Sequence, residues 1–329
     1  MLEKRLLTRL HDKKARLDAR RPLPAAAVRR LEEQLAVEWT YNSNAIEGST
    51  LTLRETQLIL EQGVTIGGKS LREHFEVVNH REAIRWVESL AGSGPARPGA
   101  THFRKWVAPE RQEPITTAVV RQLHALVMAR IDDENAGQYR QLPVRIAGAA
   151  HEPPPAWEVA ARLSDWADWL ASQEAAGAEP VELAAVVHHR LVSIHPFLDG
   201  NGRTARLIMN LVLLRAGYPP AIIARANRAQ YYRALAAADR GQDEPLANLV
   251  GRAVERTLTL YLEATTPQTA PPPAGDEWLP LREAAEGAPY SQEYLSLLAR
   301  TGRLEAIKRG RNWYTTPAAI RRYRESLNL

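Results

Sequence analysis

His195-Pro196-Phe197-Leu198-Asp199-Gly200-Asn201-Gly202-Arg203-Thr204-Ala205-Arg206 is the stretch on which the reading of this chain turns. Gly200 and Gly202 bracket Asn201 in a turn that can hold positive φ and bring the backbone close to a ligand. The turn runs into a helix N-terminus, whose first N–H groups lack partners within the helix and form a nest for anions, phosphates above all. Arg203 and Arg206 stand three apart and share a face, and their guanidinium forks suit phosphate oxygens. Two cations at the positive end of a helix dipole are unfavourable unless an anion sits between them. Asp199 is a hard carboxylate beside the nest, a place suited to Mg²⁺. His195 can take a proton near neutral pH.

The rest of the chain bounds what this segment can belong to. Of 329 residues, 45% are hydrophobic and 25% charged, which excludes a globally disordered protein. Cysteine is absent, so disulfides, thiolate zinc and a cysteine nucleophile are excluded. The most apolar run, Leu207 to Leu214, is short and bounded by Arg206 and Arg215, so it reads as a buried helix and not a membrane span. The first residues mix charge with leucine and lack the apolar core of a signal peptide, so the expected compartment is the cytoplasm, with no membrane partner. The net charge is +5, with +7 carried by the first 30 residues. That basic leading helix is either a solvated face or a contact for an acidic partner.

Most of the chain reads as helix. Helices are expected over 28–40, 71–90, 119–131, 157–172, 182–194, 204–216, 227–240 and 245–263. Another opens at a Thr52/Glu55 capping box and ends at Gly63. Residues 137–147 are the strand-like exception in this part and suggest a short hairpin or flap before Pro153-Pro154-Pro155. Residues 91–100 read as a loop. The Pro-rich stretch 264–276 reads as a semi-rigid linker. The expected organisation is therefore an N-terminal helical region (1–100), a core domain (101–263), the linker, and a small C-terminal domain (277–329).

The His195–Arg206 segment matches the Fic family signature H-P-F-x-[D/E]-G-N-G-R-x-x-R at all nine specified positions. The likeness extends over about 137–240. The resemblance implies a mainly α fold: a Fic-type helical bundle with a small β-hairpin flap. It also implies a protein adenylyltransferase, in which a target hydroxyl attacks the α-phosphate of ATP and pyrophosphate leaves. Carried over, His195 is the base and Asp199 holds Mg²⁺. The backbone of Gly200, Asn201 and Gly202 cradles phosphate, while Arg203 binds the β-phosphate and Arg206 the γ-phosphate. The stretch 140–147 is similar to the family's flap, which clamps a target chain by β-augmentation, with Ile146 over the nucleotide. Tyr231, Tyr232 and Leu235 match the adenine pocket; core packing is the other reading of the two tyrosines.

Upstream, Ser43-Asn44-Ala45-Ile46-Glu47-Gly48 fits [S/T]-x-x-x-E-[G/N], the family's inhibitory helix in the class where it precedes the core. On that resemblance Glu47 pairs with Arg206 and removes the γ-phosphate clamp. In some members the equivalent glutamate also serves removal of AMP. The plainer reading is a helix-end glutamate followed by Gly48 at C′.

Residues 277–329 read as a winged helix-turn-helix: helices at 281–286 and from Ser291 to Arg300, strands at 304–308 and 312–315, and a last helix from Pro317 to Ser326. If this unit binds DNA, Arg300, Arg303, Lys308, Arg309 and Arg311 are the phosphate contacts; a protein-docking module is the alternative. The expected partners are then ATP and a target protein, the chain itself included, with DNA and a second copy of the chain as further candidates. The competing function is a nucleotide-sensing, DNA-binding transcriptional regulator.

Overall fold

The computed structural model describes residues 1–92, 113–146, 150–266, 277–286, 288–310 and 312–326. Most of the expected loop at 91–100 (Ala91 ends α4 and Gly92 caps it), the boundary at 100/101, most of the linker, and Arg311 lie outside these residues. The chain divides into two compact units, Met1–Thr265 and Thr266–Leu329.

The first unit is built around helix α8 (Asn201–Arg215). Its run Leu207-Ile208-Met209-Asn210-Leu211-Val212-Leu213-Leu214 has no polar face, and every one of those side chains is buried. A helix apolar all round must sit inside, and each fully buried Leu or Ile stabilises by about 1.5–3 kcal/mol. Asn210 is admitted because its amide is satisfied: Nδ2 donates to Ala221 O (3.2 Å) and Oδ1 accepts from Ala221 N (2.7 Å). Helices α7 (Pro180–Ile194), α4 (Leu71–Ala91) and α5 (Thr117–Met128) pack around α8. The sequence then stops the helix with Gly217 in the left-handed region (φ 76°) and Tyr218 N donating to Leu213 O at 2.9 Å.

Helix α1 (Lys4–Asp18) lays Leu6, Leu10 and Leu17 against α10 (Glu244–Ala264). Its outward charges find partners there, with Arg9 and Lys13 both on Glu255. Helix α3 (Leu53–Gln62) opens on the expected Thr52/Glu55 capping box and ends at Gly63 in the left-handed conformation. An equivalent box, Ser70 with Glu73, starts α4. The remaining helices are α6 (Val159–Ala175) and α9 (Arg228–Ala238).

Three differences from the sequence expectation bear on the site. Helix α2 runs from Ala25 to Ile46, six residues past Thr40, and so delivers Glu47 as its C-cap. Helix α8 begins at Asn201 and not at Thr204, because Gly200 takes the left-handed N-cap conformation (φ 73°). The expected β-hairpin flap is not paired: residues 138–146 form neither helix nor ladder. Pro143 has no N–H to donate, and Arg140 spends its own N–H on Pro196 O at 3.0 Å. Among the described residues the sheet of this protein lies in the C-terminal unit instead.

That second unit has its own core of Leu281, Leu295, Leu298, Leu304 and Ile320. Helices α11 (Leu281–Glu286) and α12 (Gln292–Arg300, capped by Ser291) precede strands β2 (Ala306–Arg309) and β3 (Asn312–Thr315), and α13 (Pro317–Ser326) follows. With β1 (Leu279–Pro280) the antiparallel order is β1-β3-β2. Arg300, Arg303, Lys308 and Arg309 are exposed on this unit. Among the described residues no helix is long and apolar enough to cross a membrane.

Candidate active site

The loop between α7 and α8 is held by its own side chains. His195 ends α7 in the left-handed conformation (φ 49°), unusual for a residue with a Cβ. Asn201 staples the turn: its Oδ1 accepts from Phe197 N (3.0 Å) and its Nδ2 donates to Phe197 O (2.9 Å). The Asn201 side chain therefore builds the loop, while its backbone belongs to the N-terminus of α8. Gly200 is favoured by its positive φ of 73°, and a Cβ there would press on Met128 Sδ at 3.0 Å and the His124 ring at 3.2 Å. Arg140, 2% exposed, donates from Nε to His195 O at 2.8 Å and from its Nη atoms to the Leu142 and Pro154 carbonyls.

His195 donates from Nδ1 to Val192 O at 3.2 Å, which leaves Nε2 as the free base nitrogen. Burial pushes its pKa below 6.5, against the opposing pull of the Val192 carbonyl and of Glu47 and Asp199. A neutral imidazole at neutral pH can accept a proton.

Asp199 sits on the other side of the loop. Its Oδ1 accepts from Gly200 N at 2.6 Å and its Oδ2 pairs with Arg72. Burial alone would raise its pKa, but Arg203, the Gly200 N–H and Arg72 outweigh it and hold the carboxyl below its ordinary value. An ionised, half-exposed carboxylate beside a phosphate nest fits Mg²⁺, which binds through one or two carboxylates plus phosphate and water. Among the described residues there is no cluster of three or more His, Cys, Asp or Glu for a protein-only cage.

Arg206 is buried and fully engaged. Its Nη2 lies 2.7 Å from Glu47 Oε1 and donates to Ser43 O at 2.8 Å; Nε donates to Ser43 Oγ at 3.1 Å; Nη1 reaches Tyr231 Oη at 3.4 Å. Burial works against this cation, but the Glu47 carboxylate more than offsets it and holds the pKa above its ordinary value. The same carboxylate lies directly over Gly202, where an added Cβ would collide with Oε1. Glu47 thus stands over the first turn of α8 as well as on Arg206. Gly48 follows at φ 110°, letting the chain leave α2 at once.

A cavity of about 620 Å³ opens beside these groups, lined by Glu47, His195, Gly202, Ile146, Tyr231, Tyr232 and Leu235 among others. Of the expected site residues, Glu47, Ile146, His195, Gly202, Tyr231, Tyr232 and Leu235 line this cavity, whereas Ser43, Gly48, Asp199, Gly200, Asn201, Arg203 and Arg206 are not among its lining. Tyr231 lines the cavity and is also packed in the core, 2% exposed, with its hydroxyl donating to His188 Nε2 at 2.8 Å. Tyr232 is the more open of the two and is stacked by the Arg228 guanidinium, 4.8 Å from its centroid.

Several residues here escaped the sequence reading. His124 lies parallel to Phe197, 3.7 Å between centroids, accepts from Gly137 N (2.9 Å) and donates to Asp199 O (2.9 Å). Burial lowers its pKa to about 4. Arg72, Glu76, Arg140 and His188 also carry no local motif. A polar residue on an otherwise apolar helix stripe, as His124 is on α5, is the one available signal.

This geometry agrees with what the chain resembles. A family model described as "Fic/DOC family" matches residues 114–213. A solved structure of Fic-1 from C. elegans is 32% identical with a TM-score of 0.68, covering 79% of this chain and 72% of that one. The chain belongs to the Fic/DOC family. A protein of Drosophila willistoni named protein adenylyltransferase Fic is 35% identical over 272 residues, 82% of this chain and 50% of the relative. The chain spans about half the length of the curated relatives it matches. A Fic family protein of Desulfovibrio desulfuricans, 22% identical, shares the fold over 96% of this chain and 97% of its own, with a TM-score of 0.61.

Proposed function

We propose that this chain is a protein adenylyltransferase that moves AMP from ATP to a hydroxyl side chain of a target protein, and that Glu47 restrains it. The observation that carries the reading is the position of the Glu47 carboxylate, 2.7 Å from Arg206 Nη2 and over Gly202. A negative group already fills the place suited to a phosphate.

When Glu47 withdraws, Arg206 and the α8 N-terminus are free for the terminal phosphates, and Arg203 takes the neighbouring one. His195 Nε2 accepts the proton of the incoming hydroxyl, whose oxygen bonds to the α-phosphorus as the bond to pyrophosphate breaks. Mg²⁺ on Asp199 would neutralise charge between the phosphates. His195, Ile146, Tyr232 and Leu235 line the same cavity, which supports placing the base beside a bound nucleotide. Positioning and charge neutralisation supply most of the catalysis. The relatives named above favour this reading over a nucleotide-sensing DNA-binding regulator, and the C-terminal unit is proposed as a winged helix.

The test is self-labelling with ATP carrying its label at the α- or the γ-phosphate. Glu47→Gly is expected to raise α-label incorporation by about 10-fold to 100-fold, the worth of one charged hydrogen bond. His195→Ala in that background lowers it by about 10²–10⁴-fold. Incorporation of γ-label, or none from Glu47→Gly, contradicts the reading.

A further inference from the structure

The first turns of α4 reach the catalytic loop with two side chains that no signature includes. Arg72 Nη2 pairs with Asp199 Oδ2, and Arg72 Nε donates to Glu76 Oε1 at 3.2 Å. The same Glu76 oxygen lies 3.2 Å from Arg203 Nη1, and Arg203 Nη2 lies 3.6 Å from Asp199 Oδ1. Four charges therefore alternate in sign around a closed ring: Arg72, Asp199, Arg203, Glu76.

Each member is held differently. Arg203 is 3% exposed at its side chain; among the described residues its Nε and Nη1 make no hydrogen bond, Nη1 meeting Glu76 as an ion pair, and besides Asp199 its Nη2 meets the Met128 thioether at 3.8 Å. Its aim therefore depends on Glu76 and Asp199. Asp199 Oδ1 is committed to Gly200 N and faces Arg203. Oδ2 is the oxygen left for an incoming cation, and Arg72 is on it. The Arg72 side chain is 53% exposed and can swing into water, whereas that of Glu76 is 13% exposed and stays.

We propose that Arg72 is a resident counter-cation for Asp199 which a divalent metal displaces, and that Glu76 is a positioning residue which keeps Arg203 aimed at the phosphate cradle before and after that exchange. The inference rests on the magnesium–nucleotide reading above. An exposed ion pair is weak in water, so it yields to a divalent ion arriving with a triphosphate. It still neutralises Asp199 and braces the loop when no nucleotide is there. The displaced Arg72 keeps Glu76 as its partner one turn away.

The experiment uses the full chain carrying Glu47→Gly, so that the cradle is open. A fluorescent ATP analogue with a non-transferable α–β bridge is held at fixed concentration, and binding is read by polarisation as Mg²⁺ is titrated. Adding Arg72→Ala is expected to lower the Mg²⁺ midpoint roughly threefold to fivefold. Arg72→Lys, which keeps the charge, stays within about twofold of the parent. Glu76→Gln is expected to weaken the analogue several-fold at saturating Mg²⁺, and that effect disappears when Arg203 is already Ala, which a merely structural role would not produce. An Arg72→Ala midpoint that is unchanged or higher overturns the counter-cation. A Glu76→Gln effect that persists without Arg203, or is absent with it, overturns the positioning role. No binding by the Glu47→Gly parent at any Mg²⁺ concentration overturns the nucleotide reading itself, and this inference with it.

Discussion

At the scale of single residues, Glu47 satisfies both descriptions its sequence allows. It is the C-cap of α2, followed by a positive-φ glycine, and it is the ion-pair partner of Arg206. Helix-end geometry is what aims the carboxylate. His195 is tuned by burial, and the sign of its shift sets a pH dependence. With its pKa below 6.5 the imidazole is neutral over the whole neutral range, and in the proposed role of base it fails only as pH falls through that lowered value. The rate–pH profile of Glu47→Gly should therefore be flat near pH 7 with its acidic limb below about 6.5, the free imidazole value. A limb centred above that value contradicts the neutral, buried imidazole. Asn201→Ala removes two hydrogen bonds from the buried Phe197 backbone. It should cost about 1–3 kcal/mol for each group left unpaired, read by urea unfolding, and weaken nucleotide binding.

At the scale of elements, the loop joining α7 and α8 was legible because its chemistry is contiguous. One turn, one helix start and six polar side chains (His195, Asp199, Asn201, Arg203, Thr204 and Arg206) fall within twelve residues of chain, and local rules suffice. The capping box at Thr52, the stop at Gly217 and the Ser291 cap were legible for the same reason. What lay hidden were partners supplied from afar. Arg72 and Glu76 read as an ordinary i,i+4 surface pair, and only the packing of α4 on α8 turns them toward Asp199 and Arg203. The α2 extension was missed because Tyr41 to Ile46 has mixed polarity; its buried residues are buried by tertiary contacts and not by a periodic stripe. The flap's Val144 and Ile146 are β-branched and suggest a strand, but a strand needs a partner, and none is paired to it among the described residues. Gly137 ties the approach to this segment onto α5 at φ 74°, and a Cβ there would stand 3.0 Å from Arg121 O. Gly137→Ala should therefore destabilise by about 1–3 kcal/mol in chemical unfolding. A stability equal to the parent contradicts the packing described.

At the scale of the molecule, the two units have separate cores, with no residue shared between the cluster around α8 and that of the C-terminal unit. A chain ending at Thr265 should fold and bind nucleotide with the affinity of the full chain; loss of binding by this shortened chain contradicts that separation. Three buried histidines, His80, His124 and His188, tie the first unit's stability to pH. Burial depresses all three, His124 to about 4. The unfolded chain then binds more protons than the native one below about 6.5, so stability is full above that pH and declines as pH falls toward 4. Each such histidine costs about 1.4 kcal/mol per pH unit across its window. Thermal melts from pH 7 to pH 5 should show the midpoint falling, and a constant midpoint contradicts neutral burial. The same unit joins α2 to α8 across more than 150 residues of chain through the Glu47–Arg206 pair, and the account depends on that pair. Calorimetric titration of the full chain with a Mg²⁺-bound, non-transferable ATP analogue tests it most directly. The account predicts that Glu47→Gly binds about tenfold or more tightly than the parent and that adding Arg206→Ala removes the gain; equal affinities for all three, or tightest binding by the parent, contradict it.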